Sequence, residues 1–356
     1  MPSLSACIIA RNEAHRLPGL LPPLRGVCDE VVVVDTGSED GTERVARQLG
    51  ARVVTYPWTE SFSDARNMSL DQAAGPWIVC LDADDECPAD TLAGIRRLKV
   101  HPPDRAFGFQ VLSTQDGVTG PSSSQVRMFP KHPRVRFRYR VHEQIRPALA
   151  DEGIPIYFTD LIIHHRGYTD RETVRAKQRR NLALLEKDLR ERPADAYLRY
   201  MAAMALADLD RGHEARAELE RAWNSSRCDG RMRHIALGSA LQLAATALDE
   251  QGARPEAIEL WLDEAEALDG EHPQLLYLKG RFLVGTGRTE AGVSCLQRLM
   301  KCEAADPFLP VDMVMLKSQG AALLAQVLME QGKTGEAVAV IEEAQRLLKG
   351  GSTKGL

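Results

Sequence analysis

The sequence has no uninterrupted apolar run approaching the ~18 residues that a membrane-spanning helix needs. Its opening residues, Met1 to Glu13, lack the basic stretch and long apolar core of a secretion signal. A cytoplasmic protein with no transmembrane segment is therefore expected. Excess positive charge is also missing: 45 basic and 50 acidic residues give a formal net charge of −5. That balance excludes the broad basic field duplex nucleic acid requires, so no nucleic acid partner is expected and any anion binding is local. The seven cysteines (Cys7, Cys28, Cys80, Cys87, Cys228, Cys295, Cys302) form no C-x-x-C pair, which excludes a disulfide framework and a zinc knuckle. They read as small buried apolar residues. Two glycine-rich signatures are absent as well. Without G-x-G-x-x-G after the first apolar run there is no cradle for a dinucleotide pyrophosphate, and without G-x-x-x-x-G-K-[ST] there is no P-loop.

What is present is 356 residues, 44% hydrophobic and 27% charged, enough for two packed domains where a typical one takes ~150 residues. The first hundred residues alternate short apolar runs with amphipathic stretches, as βαβ units on a parallel sheet do. Leu4–Ala10, Glu30–Asp35, Arg52–Tyr56 and Trp77–Leu81 read as strands. Leu17, Leu20, Leu21 and Leu24 recur at helical spacing between Glu13 and Arg25. Asp40-Gly-Thr-Glu43 matches a capping box for the next helix, which Gly50 ends. A third helix begins near Ser63, and Pro88 suits the first turn of a fourth.

Beyond Leu112, Ser113 to Ser124 is rich in Ser, Thr, Gly and Pro and reads as a loop bordering a ligand site or lid. Arg134 to Val141 alternates four arginines with Val135, Phe137, Tyr139 and Val141, the pattern of a half-buried strand. A further strand runs from Ile156 to Ile163. From Arg171 onward only helical periodicity remains. Val174, Leu182, Leu185 and Leu189 mark the packing face of a first, arginine-rich helix. A punctuation then recurs, a glycine followed shortly by Glu-Ala, with alanines at 215, 257, 291 and 337. Such spacing approaches the ~34-residue helix-turn-helix period of tetratricopeptide repeats, stacked because no single hairpin can bury its own face. Leu323, Leu324, Val327 and Leu328 suit either a homodimer through the terminal helices or ordinary intrarepeat packing.

Ligands of open α/β sheets bind at the carboxyl ends of the strands. Polar residues cluster there: Arg11-Asn12-Glu13, Asp35-Thr36-Gly37-Ser38 and Asp82-Ala83-Asp84-Asp85-Glu86. Four carboxylates in five residues repel one another unless a cation or solvent relieves them. Asp82 and Asp84, two apart on an extended segment, offer the hard oxygens preferred by Mg²⁺ or Mn²⁺, while Asp85 and Glu86 read as a solvated acidic turn.

Ile8-Ile9-Ala10-Arg11-Asn12-Glu13, Val34-Asp35-Thr36-Gly37-Ser38-Glu39-Asp40-Gly41-Thr42, Phe62-Ser63-Asp64-Ala65-Arg66-Asn67 and Trp77 to Asp85 together resemble family 2 glycosyltransferases of the GT-A fold. In particular they are similar to the bacterial branch in which the catalytic domain precedes tetratricopeptide repeats. The resemblance implies an α/β GT-A-type domain with a mainly parallel sheet at residues 1–168, a connecting helix at 169–192 and an all-α tetratricopeptide-like domain at 193–349. It also implies an inverting transferase that takes a sugar from a nucleotide-sugar donor, a UDP-sugar, to a peptide, protein or glycan acceptor. Ala10, Arg11, Asn12, Glu13, Asp35 and Thr36 would line the base and ribose pocket, and Arg66 would touch the base or a phosphate unless it pairs with Asp64 or Asp71. Asp82 and Asp84 would be the D-x-D pair around Ala83, Asp82 toward the ribose and Asp84 toward Mn²⁺ or Mg²⁺. His165, rather than His164, would be a late metal ligand. The general base would be Glu143 or its neighbour His142, and one of the strand arginines would assist departure of the diphosphate. The rival readings are a non-catalytic peptide-binding scaffold and a sugar-phosphate nucleotidyltransferase, although the latter needs a glycine-rich loop where Ala10 to Glu13 has none.

Overall fold

The computed structural model describes residues 3–115, 118–166, 171–303, 309 and 311–351. The chain divides into two units, Met1–Asp188 and Leu189–Leu356.

In the first unit, β1 (Leu4–Ala10), β2 (Glu30–Asp35), β3 (Arg52–Thr55) and β4 (Trp77–Asp82) pair in parallel in the order β3-β2-β1-β4. Helices α1 (Leu17–Arg25), α2 (Thr42–Gln48) and α3 (Phe62–Gln72) connect them. Strands buried on both faces read as continuous apolar runs, and β1 shows why. Ala6 and Ile8 pack with Leu17, Leu21, Leu24 and Ile95, whereas Cys7 points the other way, toward Leu70, Ala73 and Phe137. Because β1 to β4 run parallel, each delivers its carboxyl end to the same edge.

The sheet continues through β7 (Val118–Pro130), β6 (Ala106–Gln115) and β8 (Ile156–Arg166) to the two-residue β5 (Asp85–Glu86). The segment expected as a loop from Ser113 to Ser124 is instead mostly strand, with Leu112 opposite Ser122 and Gln115 opposite Val118. Among the described residues β4 pairs with β7 only at Met128 to Pro130. The expected strand from Arg134 to Val141 is not a strand. Its apolar side chains are buried in alternation, yet the left-handed Tyr139 (φ 77°) and His142 (φ 53°) break the extended course, leaving only an isolated bridge from Arg138 to Gln144. The four arginines are ion-paired within the domain: Arg134 with Glu152, Arg136 with Asp71, Arg138 with Asp151 and Arg140 with Asp188. Helices α4 (Ala89–Leu98, with Pro88 at its cap) and α5 (Arg146–Asp151) complete the packing of the sheet. The chain then leaves through α6 (Arg171–Glu191), whose Leu182 and Leu185 are buried while Val174 is exposed, against expectation.

The second unit consists of helical hairpins: α7 (Ala196–Asp208) with α8 (Gly212–Ser226), α9 (Arg233–Asp249) with α10 (Pro255–Asp269), α11 (Pro273–Gly285) with α12 (Thr289–Lys301), and α13 (Met313–Glu330) with α14 (Thr334–Gly351). Gly252, Gly287 and Gly332 adopt φ near +80° at the turns, the left-handed conformation that ends a helix. In the first hairpin Asp210 takes that conformation and Gly212 instead opens α8. Glycine also lets α12 approach α11 closely, since a Cβ on Gly292 would lie 3.0 Å from the backbone oxygen of Gly280. Leu324, Val327 and Leu328 are buried and Leu323 packs with the same cluster, so intrarepeat packing accounts for their recurrence. Cys228 is exposed and Cys87 and Cys302 are half-buried, so burial describes only the other four cysteines. No helix among the described residues is long and apolar enough to cross a membrane.

Candidate active site

The loops after β1 and β2 are tied to one another. The Oγ of Ser38 accepts the Asn12 N–H at 2.8 Å, Asn12 Oδ1 accepts the Glu39 N–H at 2.8 Å, and Thr42 Oγ1 accepts the Glu13 N–H at 2.8 Å. Asn12 sits at φ 58°, a conformation asparagine tolerates better than most residues. Asp40 is not half of a capping box: it accepts the N–H groups of Thr42 and Ala14, while Glu43 pairs with Arg47. Ala10 and Thr36 are buried at the two strand ends, and Arg11 is exposed. Asp35 is buried. Its Oδ1 accepts the Gly37 and Ser38 N–H groups at 2.8 Å, but among the described residues its Oδ2 has no hydrogen-bond partner. A buried carboxylate oxygen left without a donor is costly in a protein alone, and it suits a donor supplied by a ligand.

The acidic cluster lies where β4 turns into β5. Ligand atoms of Asp82, Asp84, Asp85 and His165 fall within 4.8 Å of one another. The antiparallel register that places Asp85 opposite His165 and Glu86 opposite His164 selects His165 for the cluster, because neighbouring side chains on a strand face opposite ways. His165 Nδ1 is 3.0 Å from Asp85 Oδ1 and 3.4 Å from Asp84 Oδ1. That hydrogen bond to Asp85 raises His165 above the usual imidazole range despite its burial. Burial pushes the Asp84 carboxyl up, with Asp82 and Asp85 adding to it and His165 opposing. Asp82 faces the reverse balance. Burial disfavours its charge, but Arg66 at 2.5 Å and Arg127 at 2.9 Å outweigh it and hold the carboxyl far below the usual range. The donor set of carboxylates and one imidazole fits Mn²⁺ or Mg²⁺. Arg16 stands 3.8 Å from Asp84, farther than the two arginines that hold Asp82.

Arg66 does not pair with Asp64 or Asp71. From α3 it bridges Asp82 and Glu143, donating from Nε to Glu143 Oε1 at 2.5 Å, with Phe137 stacked against its guanidinium at 5.4 Å. The segment bearing Glu143 is itself held to α3, since Asn67 bonds the backbone N–H and carbonyl of Phe137 and the Phe62 N–H donates to the Arg140 carbonyl. Asp188 of α6 accepts the Arg140 N–H at 2.7 Å. His142, beside Glu143, is lowered below the usual imidazole range by burial, Glu143 opposing and Lys177 and Arg180 adding to it.

Three residues have a part in the site that the sequence did not assign them. Arg127, buried in β7, contacts Asp82 and Asp85; its segment Arg127-Met128-Phe129-Pro130 resembles the same glycosyltransferase branch, but that resemblance gave it no role. Arg16 lies 3.1 Å from Glu13 and 3.8 Å from Asp84. Asp85, taken for part of a solvated turn, has a side chain with no solvent exposure, and only Glu86 is exposed, paired with Arg166.

With this geometry in view, residues 5–170 match the family described as Glycosyl transferase family 2. The chain is 34% identical over 205 residues to a TPR repeat-containing protein of Synechococcus elongatus, covering 56% of this chain and 51% of that protein. It is 27% identical over 278 residues to the glycosyltransferase SunS of Bacillus subtilis, covering 77% and 64% respectively. It thus spans about half to two thirds of these relatives' length. A crystal structure of S. aureus TarS aligns at 15% identity over 76% of this chain and 92% of that one, with a TM-score of 0.42. Residues 5–170 of this chain accordingly match the Glycosyl transferase family 2 model, and helical hairpins follow them.

Proposed function

We propose that the protein transfers a sugar from a nucleotide-sugar donor, a UDP-sugar, to a peptide, protein or glycan acceptor, with inversion at the anomeric carbon. The observation that carries this reading is the convergence of Asp82, Asp84, Asp85 and His165 at the carboxyl end of β4, in a domain that matches this family. The buried Asp35, with one oxygen unpartnered among the described residues, supports a nucleoside pocket walled by Ala10 to Glu13 and Thr36. Asp84 and His165 would hold Mn²⁺ or Mg²⁺, with Asp82 and Ala83 facing the nucleotide. Such a cation neutralises the charge that grows on a departing nucleoside diphosphate.

The chain's own residues supply the rest. Arg66 keeps Asp82 ionised and holds Glu143 by one oxygen, which leaves Oε2 to take the acceptor proton in an in-line displacement. His142 is the alternative base, but burial disfavours its charged form. The helical hairpins offer an extended surface of the kind that repeat proteins use for chain-like partners, and a cytoplasmic setting suits a nucleotide-sugar substrate.

The test is a panel of UDP- and GDP-sugars with Mn²⁺, read as nucleoside diphosphate release. Asp84→Asn should lose both donor binding and turnover. Glu143→Gln should keep donor affinity and lose turnover ~10²–10⁴-fold. Nucleoside diphosphate affinity that is the same with Mn²⁺ and with chelator would refute the metal-assisted reading, and an active Glu143→Gln beside an inactive His142→Ala would move the base to the histidine.

A further inference from the structure

Asp85 is set apart from the other carboxylates of its cluster. Its side chain has no exposure to solvent, and both oxygens are in use: Oδ2 accepts the Asp82 N–H at 2.8 Å and lies 3.3 Å from Arg127, while Oδ1 lies 3.0 Å from His165 Nδ1. Arg127 is nearly as deeply buried and reaches Asp82 at 2.9 Å with the same nitrogen. A carboxylate so enclosed is badly placed to coordinate a cation arriving from solvent. A carboxylate on one ring nitrogen of a metal-binding histidine, however, fixes its tautomer and plane and raises its basicity. We infer that Asp85, anchored by Arg127, is a positioning residue that holds the Nδ1 side of His165 and directs metal coordination to Nε2, so that the site is built from Asp84 and His165 with Asp85 behind them. This deepens the assignment of Asp84 and His165 as metal ligands and rests on it.

The surrounding structure argues the same way. The β5–β8 register sets Asp85 directly opposite His165, so the pair is fixed by backbone pairing before any ion arrives. Arg127 offsets the charge of Asp85, without which a fully buried carboxylate would be strongly disfavoured. Its contact with Asp82 also ties the orienting carboxylate to the end of β4.

The full chain is titrated with Mn²⁺ alone, free ion being read by electron paramagnetic resonance, and His165 is observed by ¹⁵N NMR of histidine-labelled, metal-free protein at alkaline pH. Wild type should show the Nδ1–H tautomer. Asp85→Ala should lose that signature and weaken Mn²⁺ binding ~10–100-fold, no more than His165→Ala does. Asp85→Asn, which keeps the shape and one acceptor oxygen, should fall between the two and serves as the test if Asp85→Ala does not fold. Unchanged Mn²⁺ affinity or an unchanged tautomer in the Asp85 variants, beside weakened binding in Asp84→Asn and His165→Ala, would overturn the positioning role and leave the ligand assignment standing. A loss in Asp85→Asn larger than in His165→Ala would make Asp85 a ligand itself and overturn the inference. Full Mn²⁺ affinity in Asp84→Asn and His165→Ala would instead bring down the underlying ligand assignment.

Discussion

Replacing Arg66 by Met removes the cation that joins the two halves of the site. Its side chain is 9% exposed and lies 2.5 Å from Asp82, itself 23% exposed, and 2.5 Å from Glu143, 13% exposed. Breaking a buried ion pair by deleting one partner costs about 3–5 kcal/mol, because the other charge stays buried. Here Asp82 keeps Arg127 at 2.9 Å and Glu143 can gain some water, so the lower end, about 3 kcal/mol, is expected. For a domain of this size 1 kcal/mol shifts Tm by roughly 2–4 °C, which gives a fall of roughly 6–12 °C. Arg66→Lys should lose about half as much, since an ammonium supplies charge but cannot span two carboxylates as a planar guanidinium does. Arg136→Met is the control: its partner is Asp71, both side chains are more than a third exposed, and exposed pairs contribute under about 1 kcal/mol. Differential scanning calorimetry on the full chain reads all three variants. If Arg66→Met melts within about 2 °C of wild type, or no lower than Arg136→Met, the network does not hold the site together and the reasoning fails.

Other outcomes follow from burial and local geometry. His142 is lowered by burial, so as pH falls below about 6.5 the unfolded chain takes up a proton that the folded one refuses, and stability drops. His142→Asn, which tolerates the left-handed backbone, should therefore gain in Tm relative to wild type between pH 7.5 and 5.5, and a constant difference would refute the assignment. Exposed Cys228 should react with iodoacetamide first in the native protein, whereas Cys28, pushed up to about 12 by burial, should resist until unfolding; peptide mass spectrometry decides. Gly292→Ala forces a Cβ to within 3.0 Å of backbone atoms of α11 and should destabilise by about 1–3 kcal/mol in spite of better helix propensity. Gly285→Ala meets nothing within 4 Å and should stabilise by up to about 1 kcal/mol. Thermal melts showing the reverse order would mean that α11 and α12 are not in close contact at Gly292.

The sequence by itself determined the elements whose signal is local. The strands Leu4–Ala10 and Glu30–Asp35 have the ends expected of them, because a strand buried on both faces shows as a nearly continuous apolar run. Leu17, Leu20, Leu21 and Leu24 are all buried, and the Glu-Ala punctuation opens α8, α10, α12 and α14. The carboxyl-end clusters were legible for the same reason, since polar residues must interrupt an apolar strand where it leaves the sheet. Tertiary structure decided whatever depends on a partner distant in sequence. The alternation from Arg134 to Val141 reports which side chains are buried, not whether a ladder partner exists, and so it looked like a strand. Arg66 had two acidic neighbours on its own helix, but chose Asp82 and Glu143, 16 and 77 residues away, because only those carboxylates meet it in a site sheltered from water. Asp85 looked like the solvated end of an acidic run. Its burial follows from a two-residue pairing with β8, 80 residues on, and composition holds no trace of that register, which exists only once the sheet has closed.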